Sequence, residues 1–194
     1  MKIMKLTSFL IITSLICSCA AFRGGQLEDI NGWPPNIERK KSISYVVTGK
    51  VELNGRPTDV QPATMKAWKK HLDTVYRDSG LFSSVEEGFS ETDIRAEVEI
   101  TDVGRGNRAL AFFSGLTLCV IPAYASDTIT IQTTFKDSSG NILGEITKQE
   151  EVYAWFQILL LPVTPFKSPG SVGEEALCDI NRAVLLEAQQ KGIL

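Results

Sequence analysis

The residue types that most often carry chemistry are sparse in this chain. There is one histidine, His71, and there are four cysteines, at positions 17, 19, 119 and 178. A nucleophilic triad would need His71 beside an activated serine or cysteine and an orienting carboxylate. No Gly-x-Ser-x-Gly occurs, and His71 falls on the flank of an apolar helical stripe, Trp68 to Val75. A zinc site takes three or four ligands, and one histidine with distant cysteines gives no such spacing. Glu97 and Glu99 alternate with Arg95 along one strand face. Glycoside hydrolysis would instead set two carboxylates apart across a cleft, so these acids read as a wet strand face. Gly104-Arg105-Gly106-Asn107 is glycine-rich but is not followed by Lys-Ser/Thr and, on the pattern, not by a helix. It reads as a turn rather than a phosphate loop. No catalytic residue, metal ligand or cofactor site is expected, and the chain is read as a non-enzyme.

Cys19 is the cysteine with a recognisable context. Lys2 and Lys5 are followed by the apolar, hydroxyl-dotted run Leu6 to Ile16, and then by Ile16-Cys17-Ser18-Cys19. That run is too short for a good transmembrane helix and has the layout of a secretory signal. Ile16-Cys17-Ser18-Cys19 resembles the bacterial lipobox, with Cys17 in the variable position. The resemblance implies removal of residues 1–18 as a signal peptide and acylation of Cys19, with several chains giving a stable membrane anchor. Ala20 and Ala21 follow, without the aspartate that commonly retains such proteins in the inner membrane. The expected location is therefore the periplasmic side of the outer membrane.

Removing residues 1–18 from the 194 leaves 176, enough for one domain with a real core. It also removes two of the 20 lysines and arginines and none of the 23 acids, so the remainder carries about −5. Such a charge gives no electrostatic reason to bind nucleic acid. Cys119 and Cys178 either pair across some sixty residues, as extracellular thiols tend to, or stay as separate buried thiols.

The elements that would position these residues follow from periodicity. Residues 19–41 hold Gly24-Gly25, Asn31-Gly32 and Pro34-Pro35 without any period, and read as a flexible tether. Residues 42–194 then form a single domain. Ile43, Tyr45, Val47, Val51 and Leu53 share one face of a strand. Met65, Trp68, Leu72, Val75 and Tyr76 recur at helical spacing, with Gly80 placed as a left-handed cap. Strands follow at 93–101, 128–135 and 142–152, the last two joined by the turn residues 137–141, with a possible short one at 82–87. A closing helix spans about 172–191, with Leu177, Ile180, Val184 and Ala188 inward. The expected fold is α+β: one mainly antiparallel sheet of about four to five strands, with two helices packed on one face. The stretch Leu72 to Ile100, with SGLF and DIRAEVEI, resembles small periplasmic α/β lipoprotein domains. Relatives of that plan include accessory parts of envelope machines such as the curli-secretion lipoprotein.

Two segments, 109–125 and 153–166, contain no charged residue and no strict alternation. If strands 93–101, 128–135 and 142–152 run antiparallel in turn, both segments emerge at the same end of the sheet. Three readings are open there: core beneath the last helix, an exposed contact surface, or a pocket for a hydrophobic ligand such as a lipid. For a contact surface the expected anchors are Phe113, Tyr153, Trp155 and Phe156, since aromatic residues dominate such sites. The function expected is a non-catalytic lipid-anchored envelope protein with an envelope protein partner. Carriage of a hydrophobic ligand is the alternative, and hydrolysis ranks last.

Overall fold

A computed structural model describes residues 19–28, 30–35 and 40–194; the expected signal peptide, 1–18, with positions 16–18 of the expected lipobox, lies outside them. The chain forms β1 (Cys19–Arg23), β2 (Lys41–Leu53), β3 (Arg56–Thr58), α1 (Pro62–Asp78), β4 (Phe82–Glu87), β5 (Ile94–Gly106), α2 (Arg108–Leu116), β6 (Ala123–Asp137), β7 (Ile142–Phe156) and α3 (Pro169–Gln190). The seven strands make one sheet in the order β1-β7-β6-β5-β2-β3, with β4 paired to β2 beside β3.

This corrects the expected fold. Among the described residues the sheet is mixed and has seven strands, and there are three α-helices. β2 runs parallel to β5 on one side and to β4 on the other. Alternation reports which face a strand buries, not which neighbour it pairs with. The six residues between β4 and β5 cross the start of β2, where the Thr92 hydroxyl donates to Ser44 Oγ at 2.9 Å. Residues 19–23, expected in the tether, are an edge strand antiparallel to β7, from Cys19 opposite Phe156 to Arg23 opposite Val152. Further along the expected tether, Leu27 and Trp33 pack against the core.

Helices α1 and α3 lie side by side over one face of the sheet. Their stripes, Trp68, Leu72, Val75 and Tyr76 from α1 and Leu177, Ile180, Val184 and Leu185 from α3, meet Ile43, Tyr45, Val98, Ile100, Ile131 and Phe135. The fit is close. The Trp68 ring lies on Gly49, where a methyl group would collide with it, and Ile193 lies on Gly144 in the same way. The space between sheet and helices is thus filled by side chains. Gly80 ends α1 at φ +66° and Leu81 folds back into the core, as the glycine-cap pattern predicts. The turn after β6 is held by Asp137, whose Oδ1 accepts from the N–H groups of Ser139 and Asn141. α3 starts three residues ahead of expectation, capped by Ser168, whose Oγ accepts from Ser171 N at 3.3 Å.

Candidate functional site at the apolar end of the sheet

β5, β6 and β7 run antiparallel in turn, so the two uncharged segments meet at one end. Gly106 of β5 pairs with Ala125 of β6, Ala123 with Phe156 of β7, and Phe156 with Cys19 of β1. Ala123–Ala125 and Tyr153–Phe156 prolong β6 and β7 beyond their expected limits. The rest of each segment projects past the sheet. Residues 108–116 form α2, capped by Asn107, whose side chain accepts from Leu110 N at 3.0 Å. A helix does therefore follow Gly104–Asn107, contrary to expectation. Residues 158–166 form a 3-10 turn and a run of further turns. The Ile158 N–H donates to the Cys119 carbonyl at 3.1 Å, which ties the two segments together.

Of the three readings open for these segments, burial as core does not fit their exposure. Phe166 is 81 % exposed, Leu159 75 %, Val120 65 %, Leu116 65 % and Phe112 63 %. In α2 only Ser114 is buried. Leu118 and Cys119 both lie in the left-handed region, at φ 51° and 61°, a conformation costing about 1–3 kcal/mol at a non-glycine residue. That double turn reverses the chain so that Val120 and Ile121 face outward while Cys119 is buried. Thr117 supports it, donating to the Phe113 carbonyl and accepting from Ile121 N.

The four aromatic residues singled out in sequence divide. Phe113 and Trp155 are exposed, with Trp155 stacked at 5.7 Å on Tyr124 from the neighbouring strand. Phe156 is half-buried at the end of β7. Tyr153 is half-buried and donates its hydroxyl to Glu151 at 2.7 Å, so it serves the strand face more than the apolar tip. Sequence reasoning missed Phe112, Leu116, Tyr124, Leu159 and Phe166, all within the uncharged segments. The signal was the absence of any charge, which marks the region without choosing among its members.

A basic cleft adjoins the apolar end. Arg56, Arg105 and Arg108, with Asn54, Asn107 and Tyr124, line a cavity of about 720 Å³ where β3, the end of β5 and the start of α2 come together. Several cations elsewhere have carboxylate partners: Lys50 with Glu99 at 2.6 Å, Lys69 with Glu87, Arg77 with Asp73, Lys148 and Lys191 with Glu187. Among the described residues, none of the three cleft arginines makes an ion pair.

The other chemical candidates are structural in their surroundings. His71 Nδ1 lies 3.8 Å from Cys178 Sγ and its Nε2 3.8 Å from Glu174 Oε1, across the α1–α3 contact. Burial pushes the Cys178 thiol up, which keeps it protonated and unreactive. Cys178 is a free thiol, so the bridge from Cys119 to Cys178 weighed from sequence is not formed. Glu97 pairs with Lys136 at 2.5 Å, and Arg95 stacks over the Phe89 ring at 5.3 Å.

No family model matches the chain, and no curated protein matches it. Among solved structures, the chain is similar to a PelC dodecamer from Paraburkholderia phytofirmans, at 9 % identity over 86 % of this chain and 96 % of that one, with TM-score 0.38. It is also similar to a neuraminyllactose-binding hemagglutinin homolog from Helicobacter pylori, at 9 % identity over 85 % and 89 %, TM-score 0.43. A minor lipoprotein from Acinetobacter baumannii gives 15 % identity over 74 % and 91 %, TM-score 0.39. Identities this low and superpositions this loose carry no functional assignment.

Proposed function

We propose that this protein is a lipid-anchored component of the bacterial envelope, attached through Cys19 on the periplasmic side of the outer membrane. It acts by contact through its apolar end, as an accessory rather than a catalytic component. The observation that carries this reading is a coincidence of position. Cys19, the lipobox cysteine, pairs with Phe156 at the same end of the sheet where the two uncharged segments stand exposed. Contiguous exposed apolar surface of this kind marks interaction sites in proteins that are otherwise well packed. The alternative, carriage of a hydrophobic molecule, would need room between sheet and helices, where Trp68 and Ile193 already fill the space over Gly49 and Gly144.

The test is metabolic labelling with palmitate, followed by separation of inner and outer membranes. Wild type is expected to take up label and to fractionate with the outer membrane. Cys19→Ser is expected to lose both label and processing. Normal processing and membrane retention of Cys19→Ser without label would end this reading.

A further inference from the structure

We infer that the apolar end rests in the bilayer itself, with Arg56, Arg105 and Arg108 holding the phosphates of anionic phospholipids at its rim. The inference rests on the contact role proposed for this end and names its occupant.

Three independent features point to a bilayer. The first is chain geometry. A cysteine acylated at position 19 leaves no slack between lipid and domain, because Cys19 is itself in the sheet, opposite Phe156. Acyl chains starting there hold the end with Phe112, Phe113, Leu159 and Phe166 against the surface they enter. The second is the depth profile. Uncharged, aliphatic and phenylalanine-rich turns stand at the tip, and the stacked Tyr124–Trp155 pair sits one step back on the strands. That is the order in which hydrocarbon and headgroup layers select side chains. Helix α2 has nine residues and is about 14 Å long, against about 30 Å of hydrocarbon, so it enters one leaflet and does not cross. The third is charge. The sequence carries −3 overall, yet the cleft at the rim gathers three arginines with no carboxylate partner among the described residues. Arginine stems cover apolar surface while the guanidinium reaches the headgroup layer and pairs with phosphate. A purely apolar protein partner would leave these charges unmatched; an anionic bilayer matches both.

The experiment uses the full chain purified from membranes in its acylated form and reconstituted into protein-free vesicles. One set is pure phosphatidylcholine and the other contains about a third phosphatidylglycerol. Amide hydrogen exchange is read for 109–125 and 153–166 against the detergent-free soluble fraction. Exchange at both segments is expected to slow roughly tenfold or more, and further in the anionic vesicles. The double variant Arg105→Glu/Arg108→Glu is expected to lose the extra anionic slowing while keeping its unfolding midpoint. Phe112→Ser/Phe166→Ser is expected to lose protection in both vesicle types. A chain that floats with the vesicles while both segments exchange as fast as in solution overturns the inference and leaves the anchor standing. Equal protection in neutral and anionic vesicles, unmoved by the arginine variant, overturns the phosphate assignment. Protection seen only in native envelope fragments and never in protein-free vesicles replaces the bilayer with a protein partner. A chain that takes up no palmitate yet binds anionic vesicles through these segments keeps the inference and removes the anchor.

Discussion

Helices α2 and α3 are both rich in apolar residues, and the fold treats them in opposite ways. α3 lies against β7, β1 and α1 and buries Leu177, Ile180, Val184, Leu185 and Ala188. α2 meets the sheet chiefly at β6 and leaves Phe112, Phe113 and Leu116 to solvent. The polar groups beside each helix follow the same division. Next to α3, Arg23 bridges Glu150 at 3.0 Å and Asp179 at 2.6 Å, and Arg182 returns to Asp179 at 2.7 Å. Next to α2, three arginines have no such partners among the described residues. Apolar content alone does not define a core. What distinguishes the regions is whether the chain supplies its own partners, and the end that lacks them is free to take them from outside.

The contrast can be broken first at α3. Leu185 is fully buried, so Leu185→Ala is expected to cost about 2–5 kcal/mol in urea unfolding. A loss under about 1 kcal/mol would mean that α3 is no more a core helix than α2.

The polar network beside α3 gives the next largest effect. Burial pushes the Glu150 carboxyl up, but the N–H groups of Gln26 and Glu151 and the Arg23 guanidinium more than offset this, holding it below the usual glutamate value. A depressed carboxylate adds stability above its unfolded pKa and loses it as pH falls through the folded value. Arg23→Met leaves a carboxylate that is only 1 % exposed without its cation. The expected loss at pH 7 is about 1–3 kcal/mol, reduced from the fully buried case because Arg23 is a quarter exposed. Repeating the urea titration near pH 4 should show a smaller gap between variant and wild type.

A smaller effect of opposite sign is expected at Asp102. Desolvation, with a lesser push from Asp127, raises its pKa to about 6. A raised carboxyl binds its proton more tightly when folded, so its burden on stability grows as pH rises from its unfolded value through 6. Asp102→Asn is therefore expected to gain about 1 kcal/mol at pH 7, after allowance for solvent screening, and nearly nothing at pH 4. Differential unfolding at the two pH values measures it.

The smallest stability change belongs to α2. Phe113→Ser is expected to shift unfolding by no more than about 0.5 kcal/mol, while lowering detergent and vesicle binding. A loss comparable to that of Leu185→Ala would show that the exposed helix is a structural element after all.

Much of this contrast was legible in the residues. The uncharged runs 109–125 and 153–166 stood out without any coordinates, and the antiparallel order of β5, β6 and β7 put them at one end. Which of their side chains would face outward was not legible, because the double left-handed turn at Leu118 and Cys119 has no glycine to announce it. The arginine cleft was equally hidden. Arg56, Arg105 and Arg108 come from three elements, and only the pairing of β2 with β3 and β5 brings them together. Residues 19–23 resembled a linker because five residues are too few to show a period, and their burial depends on α3 and β7 being present.

By itself the sequence determined the local facts: which face of each strand is apolar, where α1 and α3 end, where the chain turns, and that Ile16-Cys17-Ser18-Cys19 resembles a lipobox. Those are set by side chains a few residues apart. Tertiary structure alone decided that β2 would be flanked by parallel strands, that the start of the supposed tether would become a sheet edge, and that Cys19, the apolar tip and the three cleft arginines would share one end. Each of these depends on contacts between residues dozens of positions apart, where side-chain periodicity carries no information about the partner.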